Sequence, residues 1–330
     1  IKGNFKLINK ITHKILEGNK LSREDDISFL INGSLSELSN GADEIRKKFC
    51  GNHIDLCTII NGRSGRCSEN CKYCAQSEHY CTNIEEYEFL NEDKIVSVCK
   101  SVESDGVHRF SVVTSGRSLS DKDFTSALKA YKNMQKECSD IELCASHGLL
   151  TEEQFRELKA SGVFRYHANI ETSRRFFPQI CTTHTYDDKI ACIKAAQRAG
   201  LSVCSGGIIG LGENWEDRID MAFSLQELGI ESIPINVLIP IKGTPLQNQK
   251  PLSEDDIIRT IVIFRYINPT AYIRLAGGRA LMQDSGRHAF HSGANAAITG
   301  NMLTTSGNNI KQDLEMLSDE GFDILREIKV

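Results

Sequence analysis

Apolar positions along the chain follow two rhythms. Phe5, Ile8, Ile11 and Ile15 recur at helical spacing and Gly18 follows as a stop, so the chain opens on a helix. Ser22 with Asp25 three residues later resembles a capping box and predicts a second helix start there. From residue 54 the rhythm changes to short apolar runs alternating with amphipathic stretches. Strands are predicted at 54–60, 108–113, 141–146, 164–171, 202–210, 232–240, 271–277 and 296–302. Helices between them include 120–137, 151–160, 186–199, 214–228 and 253–267. Eight strands alternating with helices imply parallel pairing through right-handed crossovers. The expected fold is therefore α/β, a (β/α)8 TIM-type barrel over 51–330 with an N-terminal helical extension over 1–50. A doubly wound open sheet is the rival; the absence of internal repeats or low-complexity linkers favours one barrel.

Composition narrows the function. The 330 residues carry 40% apolar and 25% charged side chains, ordinary for a globular enzyme. A net charge of −5 without a long Lys/Arg run argues against nucleic acid as a partner. No stretch approaches the ~20 apolar residues of a membrane helix. The lysine-rich start lacks the apolar core of a secretory signal, so the expected location is cytoplasmic. Twelve cysteines alter this ordinary picture, because in a cytosolic chain they point to metal or redox chemistry. Cys99, Cys138 and Cys192, in helix-like segments, fit the plainer role of small buried hydrophobes.

Cys67, Cys71 and Cys74 sit in the loop after the first predicted strand, spaced by three and then two residues. A loop that short can turn all three thiolates onto one site. A structural zinc site takes four protein ligands, and no second ligand pair lies nearby. Three ligands on an iron–sulfur cubane leave one iron open to chelate a small molecule. This Cys-x-x-x-Cys-x-aromatic-Cys loop, with Tyr73 at the aromatic position, is similar to the radical S-adenosylmethionine superfamily. That resemblance implies a 4Fe–4S cluster on Cys67, Cys71 and Cys74, with S-adenosylmethionine on the open iron.

Within the superfamily, the chain from about residue 50 onward resembles the biotin synthases. Besides Cys71-Lys72-Tyr73-Cys74, the strings 203–213 (VCSGGIIGLGE), Pro234-Ile235-Asn236, Lys242-Gly243-Thr244-Pro245-Leu246, Tyr272-Ile273-Arg274-Leu275 and Ser292-Gly293-Ala294-Asn295 carry the likeness. They lie at or near strand ends, where a barrel builds its active site. The resemblance implies that Asn169, Glu171 and Asn236 hold the ribose or the substrate's ureido ring, although asparagines on strands also serve as satisfied barrel polars. Glu171 replaces the family's usual aspartate, and Lys189 stands where an arginine is usual, which puts its contact to the cosubstrate in doubt. Gly206 and Gly207 follow a strand, but no Lys-Ser/Thr pair comes after them, so close backbone approach to adenosine fits better than a phosphate loop.

The resemblance also implies a second, sulfur-donating iron–sulfur cluster inside the barrel, on cysteines of the second, third and fifth strands and an arginine of the seventh. Cys144, Cys204 and Arg274 match, but Ser111 stands where the second-strand cysteine is expected. Cys57 on the first strand offers a replacement, because inward residues of odd strands share layers. Cys81, seven residues after Cys74, is the other candidate, and Cys57 as a plain core residue is the third reading. A changed ligand set leaves the cluster type open between 2Fe–2S and a 4Fe form.

The implied reaction is radical sulfur insertion: a 5′-deoxyadenosyl radical takes hydrogen from dethiobiotin, the carbon radical captures a cluster sulfide, and a second round closes the ring of biotin. A low-potential electron-donor protein and a homodimer are implied with it. The alternatives are a hydrogenase maturase or similar radical enzyme on the same barrel, a protein that only carries a cluster, and a structural zinc protein. The nine histidines, His288 and His291 included, show no ligand spacing.

Overall fold

A computed structural model describes residues 2–303 and 307–324. The side chain of Phe5, and residues 325–330 of the expected barrel unit, lie outside the described residues. Three helices open the chain: α1 (Lys2–Leu16), α2 (Ser28–Asn32) and α3 (Leu35–Cys50). The pairing of Ser22 with Asp25 forms, with Ser22 N donating to Oδ2 at 2.8 Å, but it closes a turn rather than starting a helix. Helix α2 begins later, at Ser28.

Parallel strands and helices then alternate. In chain order they run β1 (Asp55–Arg63), α4 (Glu92–Ser104), β2 (Arg109–Thr114), α5 (Asp121–Glu137), β3 (Glu142–Ser146), α6 (Glu152–Ala160) and β4 (Val163–His167). Next come the short α7 (Phe177–Ile180), α8 (Tyr186–Arg198), β5 (Ser202–Cys204), β6 (Gly207–Ile209), α9 (Trp215–Glu227), β7 (Ser232–Val237) and α10 (Glu254–Ile267). The described chain ends with β8 (Tyr272–Leu275), α11 (Arg287–Phe290), β9 (Ala296–Ile298) and α12 (Ile310–Asp319). The barrel helices start where polar side chains can cap them. Ser120, Thr151, Thr185, Asn214 and Ser253 each accept from the backbone N–H three residues on, and Thr151, Thr185 and Asn214 form reciprocal capping boxes.

The strands pair in the order β5-β4-β3-β2-β1-β9-β8-β7-β6, and β5 also pairs with β7, so the sheet closes on itself. The open-sheet alternative is thereby excluded. β5 and β6 are two halves of the predicted fifth strand, interrupted at Ser205-Gly206. Glycine is required at both halves' junction: a Cβ on Gly206 would stand 2.0 Å from the Pro234 carbonyl oxygen, and one on Gly207 2.2 Å from that of Glu171. The fourth strand is shorter than the predicted 164–171. It ends at His167, and Glu171 takes a left-handed φ of 71°, which a strand cannot continue through.

Helix α10 is buried almost all round, through Ile257, Ile258, Ile261, Val262, Ile263 and Phe264. One side faces the barrel and the other meets α3, so the N-terminal helices cover an otherwise exposed apolar surface. Gly41 of α3 makes room for Tyr266, whose hydroxyl meets Thr12 Oγ1 of α1 at 2.7 Å. Among the described residues, no helix is long and apolar enough to cross a membrane.

Candidate metal centre

The cysteine loop leaves the C-terminal end of β1 and turns back at once, with Gly65 and Arg66 both at positive φ. Cys67 N donates to Gln76 O at 3.0 Å and Glu78 N to Cys67 O at 2.8 Å, so the loop is pinned at its base. Its tip is a tight turn, with Cys74 N donating to Cys71 O at 2.9 Å. Lys72 N donates to Ile180 O at 2.9 Å, which ties the tip to α7. Cys67 is buried, while Cys71 and Cys74 are half-buried. Burial raises the Cys67 thiol, and pushes that of Cys74 up to about 11.

A cavity of about 370 Å³ opens beside the loop and runs into the barrel mouth. Tyr73 and Cys74 line its rim, Asn169, Glu171 and Asn236 its wall, and Ser111, His167 and Arg274 its floor. Glu171 is buried, with Oε2 lacking a hydrogen-bond partner. Burial raises its carboxyl above the usual range, and Lys189 and Tyr73 offset part of that rise. Lys189 and Glu171 share a smaller adjoining cavity with Asn169. Asn169 Oδ1 accepts from Gly206 N at 3.1 Å. Asn236 spends both ends of its amide on backbone: Nδ2 donates to Gly207 O at 3.1 Å, and Oδ1 accepts from Gly277 N at 2.9 Å. In this arrangement Asn236 fastens β7 to its neighbours.

Side chains of β1, β3, β5 and β8 gather deeper inside. Cys57, Cys144, Cys204 and Arg274 are all at most 1% exposed. Cys57 feels the charges of Cys144, Arg274 and Cys204, though burial is the main cause that raises its thiol. Ser111, level with Cys144 on the neighbouring strand and with Ile59 on β1, keeps a buried Oγ without a partner. Arg274 is fixed by the Asp55 carboxylate and by the carbonyls of Asp55 and Ala297, at 3.1 and 3.0 Å from Nη1. Its Nε has no partner. Burial disfavours the guanidinium charge, but Asp55, Cys57 and Cys204 outweigh it and keep Arg274 protonated. Cys81 is exposed on the loop after the triplet, and its backbone packs on Gly243.

Two features escape a reading of the sequence. His167, the last residue of β4, pairs in register with Cys204 and has a buried Nε2 without a conventional partner. Burial opposes its charge, yet Cys204 and Cys144 prevail and raise it to about 9, while His167 lowers both thiols. The second feature is Cys181-Thr182-Thr183-His184, which packs against Cys71. His184 Nδ1 also contacts Glu69 Oε2. The Cys-x-x-His spacing of 181–184 was the available signal, hidden because its third partner lies far away in the chain.

The donor set fits the two clusters expected. Buried polar atoms left without partners at Ser111, Arg165, His167 and Arg274 surround the inner thiols, and unpartnered Glu171 Oε2 faces the cavity beside the cysteine loop. Neither cysteine trio draws its sulfurs all within 4.8 Å, the spacing of a single-ion site. A group several atoms across suits both better.

Comparison with known proteins identifies the family. Residues 63–225 match the radical SAM superfamily model, and residues 234–323 match the model of the biotin and thiamin synthesis associated domain. Two biotin synthases, from Alkaliphilus metalliredigens and Clostridium beijerinckii, are each 62% identical over 96% of this chain and 99% and 100% of their own lengths. Another, from Brachyspira hyodysenteriae, is 53% identical over 96% of this chain and 95% of its own. Methylornithine synthase shares the fold at a TM-score of 0.82 and 19% identity, covering 96% of this chain and 97% of its own. An FeFe-hydrogenase maturase from Carboxydothermus hydrogenoformans does so at 0.78 and 18%, covering 96% and 79%. At such low identity these two speak for the barrel alone, whereas the curated relatives match in sequence along nearly their whole length: the chain belongs to the biotin synthase family of radical S-adenosylmethionine enzymes.

Proposed function

We propose that this enzyme inserts sulfur into dethiobiotin with Cys67, Cys71 and Cys74 as ligands of the 4Fe–4S cluster, and with Cys57, Cys144 and Cys204 as ligands of the second cluster beside Arg274. One observation carries the assignment: a single cavity has Cys74 and Tyr73 at its rim and Ser111, His167 and Arg274 at its floor. A substrate held there lies between the two thiol sets. When bound, the first cluster with S-adenosylmethionine supplies the hydrogen-abstracting radical, and the second supplies sulfur.

The chain's own residues then position and shield. Glu171, Asn169 and Lys189 form a polar wall for the cosubstrate's ribose and amino-acid groups, with Asn169 hydrogen-bonded to Glu171. Gly206 and Gly207 let β5 and β6 approach that wall, which brings their backbone towards adenosine as well. Asn236 aligns the wall from β7 and presents its edge to the ureido ring. Ile59, Val113 and Ile298 add an apolar lining that keeps water from the reacting carbons. The imidazole of His167, whose protonation Cys204 and Cys144 favour against burial, offsets negative charge around the inner thiolates. Residues 51–330 form the catalytic unit, and 1–50 brace it through α10. A low-potential electron-donor protein and a homodimer in the cytoplasm complete the reading.

Anaerobic reconstitution with iron and sulfide, followed by S-adenosylmethionine, reductant and dethiobiotin, tests the function. Biotin should appear with deoxyadenosine in about twofold excess. Deoxyadenosine without biotin would reject the substrate, and neither product from intact cluster would reject the mechanism. Iron and sulfide counts test the inner ligands. Cys57→Ala should lose the second cluster's share, and counts equal to the parent's would remove Cys57 from the site.

A further inference from the structure

Cys181 and His184 have no part in the reaction just described, yet both are buried, Cys181 meets Cys71 and His184 meets Cys181. Cys71 Sγ stands 3.7 Å from Cys181 Sγ, which in turn stands 3.3 Å from His184 Nδ1 and 3.9 Å from Nε2. Ligand-capable atoms of the three lie within 4.8 Å of one another, the one such group among the described residues. Around a tetrahedral zinc-type ion with bonds near 2.3 Å to sulfur and 2.0 Å to nitrogen, two sulfurs stand roughly 3.8 Å apart and sulfur and nitrogen roughly 3.5 Å. The Sγ–Sγ spacing matches the first value, and the 3.9 Å from Cys181 Sγ to Nε2 is a few tenths of an ångström longer than the second.

The surroundings suit an ion as well. Glu69 Oε2 accepts from His184 Nδ1, from Thr183 Oγ1 at 2.8 Å and from Arg117 Nη1 at 3.4 Å. A carboxylate that fixes the Nδ1–H tautomer leaves the Nε2 lone pair for a metal, the usual outer support of a histidine ligand. Two sulfurs and one imidazole nitrogen favour zinc or ferrous iron over magnesium or calcium.

We infer that Cys71, Cys181 and His184 bind one thiol-preferring divalent cation, zinc or ferrous iron, in the cluster-free chain. Binding releases the thiol protons to solvent as the two thiolates take the metal. Cys71 is shared, so the ion and the 4Fe–4S cluster exclude each other; that exclusion, unlike the binding itself, rests on Cys71 being a cluster ligand. Zinc in this site therefore blocks cluster assembly.

Cobalt is the probe. Cluster-free full-length protein, stripped with chelator under anaerobic reducing conditions, is titrated with Co²⁺ while thiolate-to-cobalt absorption is followed. One ion per chain should bind and be displaced by Zn²⁺. Cys181→Ser and His184→Gln should each bind at least about tenfold more weakly, while Cys67→Ser and Cys74→Ser keep the parent affinity. Circular dichroism checks that each variant is folded, and the two ligand variants test the site independently. Absence of stoichiometric binding overturns the inference, and so does binding lost in Cys67→Ser or Cys74→Ser but kept in Cys181→Ser. Zinc-loaded parent protein should then fail to take up iron and sulfide, whereas zinc-treated Cys181→Ser assembles its cluster at the untreated rate. Cobalt binding as described without this block upholds the ion site and rejects Cys71 as a cluster ligand.

Discussion

Removal of the Asp55 carboxylate should cost this protein about 3–5 kcal/mol of stability, the usual penalty for leaving one member of a buried ion pair alone. Asp55 is 3% exposed and Arg274 1% exposed. One carboxylate oxygen meets Arg274 Nη2, and the other accepts from Arg109 Nε at 2.8 Å. Burial alone would raise this carboxyl, but Arg274, Arg109 and Arg165 hold it well below the usual carboxylate range. In Asp55→Ala the guanidinium stays buried with only backbone carbonyls for partners. In Asp55→Ala/Arg274→Met both charges go, so the double variant should lose less than the two single losses added together. Urea titration of the cluster-free protein in anaerobic reducing buffer measures this, as a shift in midpoint at constant slope. A carboxyl with a depressed folded value contributes stability above its unfolded value of about 3.9 and loses it as pH falls through the folded value. The gap between parent and Asp55→Ala should accordingly stay constant from pH 6 to 8. A loss below about 1 kcal/mol, or strictly additive singles, would refute the argument that this pair is a coupled lock.

Three further outcomes are expected. His147, with Tyr131 OH 2.9 Å from Nε2 and Thr114 Oγ1 3.1 Å from Nδ1, is held down to about 3 by burial, and His108 to about 4, chiefly by burial. A histidine kept neutral on folding contributes fully above its unfolded value near 6.5 and loses that contribution as pH falls, so the two together should remove about 2 kcal/mol per unit below pH 6. His147→Gln should flatten that slope by half in pH-resolved urea titrations, and an unchanged slope would contradict it. Gly207→Ala drives a Cβ to 2.2 Å from Glu171 O and 2.5 Å from Met221 Sδ, so it should cost about 1–3 kcal/mol and weaken S-adenosylmethionine binding in equilibrium dialysis; unaltered binding would separate these glycines from the cosubstrate. Glu171→Gln should weaken S-adenosylmethionine binding about tenfold through loss of one charge-assisted hydrogen bond, about 1.4 kcal/mol, and equal affinity at pH 7 would remove Glu171 from the cosubstrate's contacts.

The barrel was legible because its apolar rhythm and its caps agree at each crossover. Helices predicted near 120, 151, 186, 214 and 253 begin within a residue or two of those positions because Ser120, Thr151, Thr185, Asn214 and Ser253 fix their starts. The fourth strand was over-extended because alternation continues through Ala168, Asn169 and Ile170, and nothing in composition shows that Glu171 has a positive φ. Ser22 and Asp25 make their expected contact but close a turn, since capping chemistry also serves turns. At the site, loop spacing singled out Cys67, Cys71 and Cys74 as candidate ligands, and the odd-strand argument set Cys57 beside Cys144 and Cys204, whose charges it feels inside the barrel. His167 and the 181–184 segment were missed because their meaning arises only when β4 lies beside β5 and α7 lies over the cysteine loop.

The closing seam of the barrel joins β1 to β9, with Asp55 in register with Ala296 and Cys57 with Ile298. Strand β1 leaves the ribosome among the first barrel segments and its partner among the last. Until β9 emerges, β1 has an unpaired edge, and the interior thiols face a gap. Long-range closure of this kind is slow relative to local helix formation. The unfinished barrel thus exposes its edge strands to other nascent chains during synthesis, so recovery of soluble protein should depend on chaperone supply and translation rate more than the stability of the finished fold would suggest.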